Sequence, residues 1–167
     1  MNQTKAKPEF VVTRVFDAPR ELVWKAWTEP ERVKRWWGPR GYTAPVVKID
    51  FRVGGKYLYL MRSREGIDAW STGTFKEIEP LRRIVVSDSF ADKDGNVVPA
   101  SYYGMGEGFP LETQITITFE NSNGKTRLSL RYADVSSFSA EDLRNMEMGW
   151  NESLDKLQET LLTPLMH

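Results

Sequence analysis

The most constraining pattern lies between Ser139 and Pro164. Leu143, Met146, Trp150, Leu154, Leu157 and Leu161 recur at spacings of three or four residues, which puts them on one stripe of a helix. Ser139 supplies the N-cap, Glu141 and Asp142 sit where the helix dipole favours negative charge, and Pro164 ends the run. About 22 residues at 1.5 Å each reach roughly 33 Å, enough to cross a whole sheet. Such a helix is stabilised mainly by packing its stripe, so it needs a partner surface of similar length.

Paired strands supply that surface. Residues 112–120 and 125–133, joined through Asn121-Ser122-Asn123-Gly124, alternate cleanly: Thr113, Ile115, Ile117 and Phe119 on one face, Thr116, Thr118 and Glu120 on the other. Leu128, Leu130 and Tyr132 likewise oppose Arg127, Ser129 and Arg131. One buried and one wet face predicts an antiparallel sheet covered on one side. Residues 43–53 and 56–63 read as a hairpin at Gly54-Gly55, and residues 68–78 and 82–90 as another at Glu79-Pro80-Leu81.

A first strand spans 9–17. Pro19 then falls in the first turn of a helix whose apolar side is Leu22, Val23, Ala26 and Trp27. Thr28-Glu29-Pro30-Glu31 reads as a capping box for a second short helix, carrying Val33, Trp36 and Trp37 and stopped by Gly38-Pro39. Strand, two helices, six strands and a long helix predict an α+β fold: a curved seven-stranded antiparallel sheet around the C-terminal helix. No repeat or linker divides it, so residues 9–162 read as one domain, with 1–8 a disordered tail and 163–167 a C-terminal tail.

Composition excludes several chemistries. There is no cysteine, and the only histidine is His167, so thiolate zinc sites, cysteine nucleophiles and Ser-His-Asp triads are absent. Lys+Arg and Asp+Glu balance at 23 each, which argues against a nucleic-acid or anionic-membrane partner. No apolar run approaches the ~20 residues of a membrane span, and the N-terminus lacks the apolar stretch of a signal peptide. A cytoplasmic protein without metal or cofactor is expected. No spacing marks a carboxylate dyad, so catalysis is not expected either.

Three ordered segments carry a resemblance. Phe16-Asp17-Ala18-Pro19-Arg20-Glu21-Leu22-Val23-Trp24, with Thr28-Glu29-Pro30-Glu31 and Trp36-Trp37-Gly38-Pro39, resembles the opening of the START-like (SRPBCC) superfamily. Asp50-Phe51-Arg52-Val53-Gly54-Gly55-Lys56-Tyr57 and Gly149-Trp150-Asn151-Glu152-Ser153-Leu154-Asp155-Lys156-Leu157 are similar to further segments of its bacterial and archaeal homologues of the activator of heat-shock protein 90 ATPase. The resemblance implies the helix-grip fold over residues 9–162. That superfamily holds hydrophobic-ligand carriers, hormone receptors, polyketide cyclases and chaperone regulators, so the fold alone does not choose among them. The eukaryotic activator is a two-domain co-chaperone of which only the C-terminal domain resembles this chain.

Aromatic residues make up 12% of the sequence, with six Trp, six Tyr and eight Phe. A long helix over a concave sheet tends to enclose a cavity. Its expected wall is Tyr57, Tyr59 and Met61 from the third strand; Phe75, Asp88, Phe90, Phe119 and Tyr132 from later strands; and Met146, Trp150 and Leu154 from the helix. The alternative is that these side chains interdigitate and leave no space. Asp88 shares a face with Ile84, Val86 and Phe90, and Arg14 shares one with Phe10, Val12 and Phe16. Each either orients a polar ligand group or serves as a structural pair or edge residue. Relatives more often carry an aromatic at the position of Asp88, a departure in this sequence.

The connection 91–110 is unusually long and holds Gly104, Gly106 and Gly108 as candidate hinges beside Tyr102, Tyr103, Met105 and Phe109. It reads as a lid, a dimer contact or a plain loop. The expected function is binding of a hydrophobic or aromatic small molecule. The alternatives are a protein-interaction module regulating a heat-shock chaperone ATPase and a cyclase-like enzyme.

Overall fold

In the computed structural model, which describes residues 8–105 and 108–162, strand 1 (β1, Phe10–Phe16) is followed by two short helices, α1 (Arg20–Thr28) and α2 (Pro30–Val33). Six strands come next: β2 (Thr43–Ile49), β3 (Lys56–Arg62), β4 (Asp68–Glu79), β5 (Arg83–Ala91), β6 (Thr113–Ser122) and β7 (Lys125–Tyr132). The chain ends in α3 (Ala140–Leu161). The seven strands form a curled antiparallel sheet in the order β1-β7-β6-β5-β4-β3-β2. β1 therefore pairs with β7 across the longest sequence separation, with Phe10 opposite Tyr132 and Phe16 opposite Thr126. This is the expected helix-grip arrangement. None of the helices described is long and apolar enough to cross a membrane.

Local chemistry differs from expectation at several joints. Gly54-Gly55 is not a two-residue hairpin: β2 stops at Ile49 and residues 50–55 fold back against β4. The Gly54 N–H donates to the Phe75 carbonyl at 2.8 Å and the Phe75 N–H to the Gly55 carbonyl at 2.9 Å. A Cβ on Gly55 would lie 2.0 Å from the Asp50 carbonyl oxygen, so only glycine fits that fold-back. The β6–β7 turn is conversely tighter than expected, with Asn123 and Gly124 alone between strands and both at positive φ (54° and 83°).

Pro19 is the N-cap of α1 rather than a residue of its first turn. The Thr28 capping box does not form, because Thr28 is absorbed as the last residue of α1 and its hydroxyl donates to the Trp24 carbonyl at 2.9 Å. Glu29 caps α2 without a side-chain bond to its backbone and instead accepts from Arg32 Nε at 2.7 Å. Ser139 does build a capping box: its hydroxyl accepts the Asp142 N–H at 3.0 Å and its own N–H donates to the Asp142 carboxylate at 3.2 Å. Pro164, His167 and the tail 163–167 lie outside the described residues, as do residues 1–7 of the other tail. Pro8 was expected in that tail, yet its carbonyl accepts the Val135 N–H at 3.0 Å.

The core is deepest beneath the C-terminal half of α3. Leu154 and Leu157 are fully buried, with Phe16, Val23, Trp36, Phe119, Leu128 and Leu130, each contributing roughly 1.5–3 kcal/mol of burial. Cationic side chains fasten this half, Arg40 among them through Glu159. Arg14 donates to the Asp155 carboxylate at 2.7 Å and to Asn151 Oδ1 at 3.1 Å, so it is a structural link from β1 to α3 and not a ligand group. Lys156 donates to the Gly38 and Tyr42 carbonyls at 3.0 and 3.2 Å. The N-terminal half of α3 is held less closely: Leu143, Met146 and Trp150 are only half-buried.

Candidate functional site

A cavity of about 480 Å³ opens beneath that N-terminal half. Its sheet wall is Met61 on β3, Ser71 on β4, Asp88, Ser89 and Phe90 on β5, Thr113 on β6 and Tyr132 on β7. Phe138, Asp142, Asn145 and Met146 form the helix side, and Met105, Phe109 and Pro110 close it from the long connection. The size is that of a small-molecule site, mostly apolar with a few convergent polar groups.

Asp88 is the polar centre. The Tyr57 hydroxyl donates to its Oδ1 at 2.5 Å, and Thr113 Oγ1 donates to its main-chain carbonyl at 3.3 Å. Burial pushes the Asp88 carboxyl up from 3.8 to about 6, partly offset by the Tyr57 bond, which favours the ionised form. Tyr57, Tyr59 and Tyr132 are all held above the ordinary phenol range, first by burial and then by the Asp88 charge. They remain neutral hydroxyls. Tyr132 accepts the Trp150 indole N–H at 3.1 Å, which leaves its own proton to donate. Among the described residues, no lysine or arginine lines the cavity.

The cavity is not in the middle of the groove. That space is filled by tryptophan: Trp27 and Trp36 lie 4.7 Å apart, Trp27 stacks on Trp150 at 6.1 Å, and Trp37 meets Trp150 edge-on at 5.6 Å. The two short helices carry Trp27 and the Trp36-Trp37 pair into the centre, so the empty volume shifts toward the start of α3. A void of only about 40 Å³ remains among Tyr57, Tyr59, Phe75 and Trp150.

The expected wall residues therefore separate into groups. Met61, Asp88, Phe90, Tyr132 and Met146 line the cavity. Tyr57 and Tyr59 stand behind it, with Tyr57 acting through Asp88, and Phe75 borders the small void. Trp150 faces that void and a side pocket of about 190 Å³ shared with Met61 and Met146, not the main cavity. Phe119 and Leu154 lie in the core and not in the cavity lining: Phe119 packs its ring 5.1 Å from Trp24, and Leu154 has no exposure at all.

The long connection also divides. Met105 and Phe109 lie against the cavity. Tyr102 is 60% exposed and, with Tyr103, borders a different surface hollow. Tyr103 is a strut: its hydroxyl donates to the Ala91 carbonyl and accepts the Trp70 N–H. Of the candidate hinges, Gly108 sits against the Ser137 carbonyl, where a Cβ would come to 2.9 Å; Gly106 lies outside the described residues.

Sequence reasoning missed Phe138, Asp142 and Asn145. Phe138 immediately precedes the Ser139 cap and meets Phe109 at 5.1 Å, the place where a staple residue fixes helix entry. Asp142 and Asn145 sit three residues apart, beside Met146, and an i, i+3 spacing shares a helix face. No group of three or more His, Cys, Asp or Glu among the described residues could hold a metal.

Residues 17–162 match the family model described as activator of Hsp90 ATPase homolog 1-like protein. The chain belongs to that family. It is similar to a solution structure of a protein from Arthrobacter aurescens, 28% identical over 95% of this chain and 90% of that one, with a TM-score of 0.78. A crystal structure from Chromobacterium violaceum is 26% identical, covers 93% and 98% of the two chains, and has a TM-score of 0.75. One from Mycobacterium smegmatis is 25% identical over 95% and 92%, at 0.71. No curated protein sequence matches the chain.

Proposed function

We propose that this member of the family binds an apolar or aromatic small molecule between the N-terminal half of α3 and the sheet, without catalysis. The observation that carries the reading is the cavity of about 480 Å³ with Phe90, Phe109, Phe138, Tyr132 and Met146 in its wall and Asp88 within it. A core that served stability alone would fill that volume, as the tryptophans fill the neighbouring one, because empty space forfeits dispersion contacts. A buried carboxylate is likewise a cost that an apolar residue at the same position would avoid. An environment-sensitive apolar dye is expected to bind with one-to-one stoichiometry and to quench tryptophan emission, since Trp37 and Trp150 border the adjoining pocket. Binding no better than to an unrelated folded protein refutes the reading.

The family description and the exposed apolar residues of the long connection favour a second reading, a protein-interaction module acting on a chaperone ATPase. Val97, Tyr102, Met105 and Leu111 are 48%, 60%, 44% and 57% exposed, a density that also suits a contact with another copy. A several-fold rise in the turnover of its host's chaperone on adding the purified chain supports this reading over the first.

A further inference from the structure

We infer that the ligand taken by this cavity is a cation: a protonated amine carried on an aromatic or aliphatic body. The inference rests on the small-molecule reading and specifies its chemistry. Asp88 lies in the cavity wall, and among the described residues its side chain receives one hydrogen bond, from Tyr57 to Oδ1. Among the described residues no basic side chain lines the space, and a second carboxylate in the wall, Asp142, adds negative charge.

Two cations of the groove are committed at its other end. Arg14 is engaged by Asp155 and Asn151, and Lys156 by the Gly38 and Tyr42 carbonyls. The titratable groups that feel Asp88 are Tyr57 and Tyr59 from β3 and Tyr132 from β7; Asp142 of α3 shares the cavity lining, and the described lining residues of β4, β6 and the long connection carry no titratable group.

Each ligand class then meets a different site. An anion would face two carboxylates. A neutral apolar molecule would strip water from Asp88 without supplying a counter-charge, which is the costly case. An ammonium group supplies the counter-charge and donates up to three hydrogen bonds. Its body meets Phe90, Phe109 and Phe138, which form a continuous aromatic run with centroids 6.3 and 5.1 Å apart. Ring faces attract cations, which adds to the same preference.

The test compares three probes of one shape: naphthylmethylammonium, naphthalenemethanol and naphthoate, titrated by calorimetry into the full chain. At about pH 7.5 the ammonium is expected to bind at least about tenfold more tightly than the alcohol, and naphthoate more weakly than either. Lowering the pH to about 5 protonates Asp88 and weakens the ammonium about tenfold while leaving the alcohol unchanged. Asp88→Asn, close to isosteric, is expected to abolish the preference for the ammonium over the alcohol. Equal binding of alcohol and ammonium at both pH values overturns the cationic assignment and leaves the cavity reading standing. Failure of all three to bind overturns both. The pH comparison uses the unmodified chain, so the result does not depend on the variant folding.

Discussion

Asp88→Asn also predicts a change in stability whose sign runs opposite to that of most buried substitutions. A carboxyl raised from 3.8 to about 6 binds its proton more tightly in the folded than in the unfolded chain. Below about pH 4 both states are protonated and the group contributes nothing. Between about pH 4 and 6 the unfolded chain has lost the proton that the folded one keeps, so stability falls as pH rises. Above that window the full penalty applies, about 3 kcal/mol at 1.36 kcal/mol per tenfold. Asp88 keeps some solvent contact, which lowers the expected value to about 1–3 kcal/mol. Asparagine removes the charge and still offers Oδ1 to the Tyr57 hydroxyl. The variant should therefore be more stable by that amount near pH 7.5 and indistinguishable near pH 4. Urea denaturation of both chains at each pH reads this directly, because other carboxylates titrate alike in both and cancel in the difference. A variant less stable at neutral pH, or a difference that stays constant across the window, refutes the assignment of Asp88 as a charge held against burial.

Two further outcomes follow from the packing. Trp150→Ala should cost about 3–5 kcal/mol, since it removes the stack on Trp27 and the N–H bond to Tyr132; a loss below about 1 kcal/mol by urea denaturation would place the indole outside the core. Phe109→Ala should weaken dye binding several-fold whereas Tyr102→Ala leaves it unchanged, because only Phe109 lines the cavity; equal effects in titrations of the two variants would contradict the division of the long connection.

Sequence periodicity alone foretold the strands, the long helix and which faces they bury, because alternation and the three-to-four spacing report burial directly. The joints were harder to read. Gly54-Gly55 has the composition of a tight turn, yet it folds back because Phe75, on a strand twenty residues away in sequence, offers its carbonyl and N–H to the loop. Thr28 has the identity of a cap, yet the preceding helix claims it. On β5, alternation puts Asp88 and Phe90 on one face, and both line the cavity. Face assignment could not show that Phe119 and Leu154 share a face with cavity residues while lying at the filled end of the groove. Depth along a groove depends on which neighbours fill it, and here the filling comes from Trp27, Trp36 and Trp37, outside both the sheet and α3.

That division of the groove is also a division along the chain. The segments that carry the family resemblance, residues 16–39, 50–57 and 149–157, supply the tryptophan plug, the fold-back loop onto β4 and the anchored half of α3. None of the residues lining the cavity falls within them. Phe90, Met105, Phe109, Phe138 and Asn145 stand near the end of β5, on the long connection, just before the cap of α3 and on its first turns, outside the plug. Tyr57 is the bridge between the two sets: it closes the second segment, packs within the core 4.5 Å from the Tyr59 ring, and extends its hydroxyl to Asp88. A carboxylate at position 88 is tolerated because a phenol from the shared framework already reaches it. The same framework would hold an aromatic residue there without the cost of a buried charge.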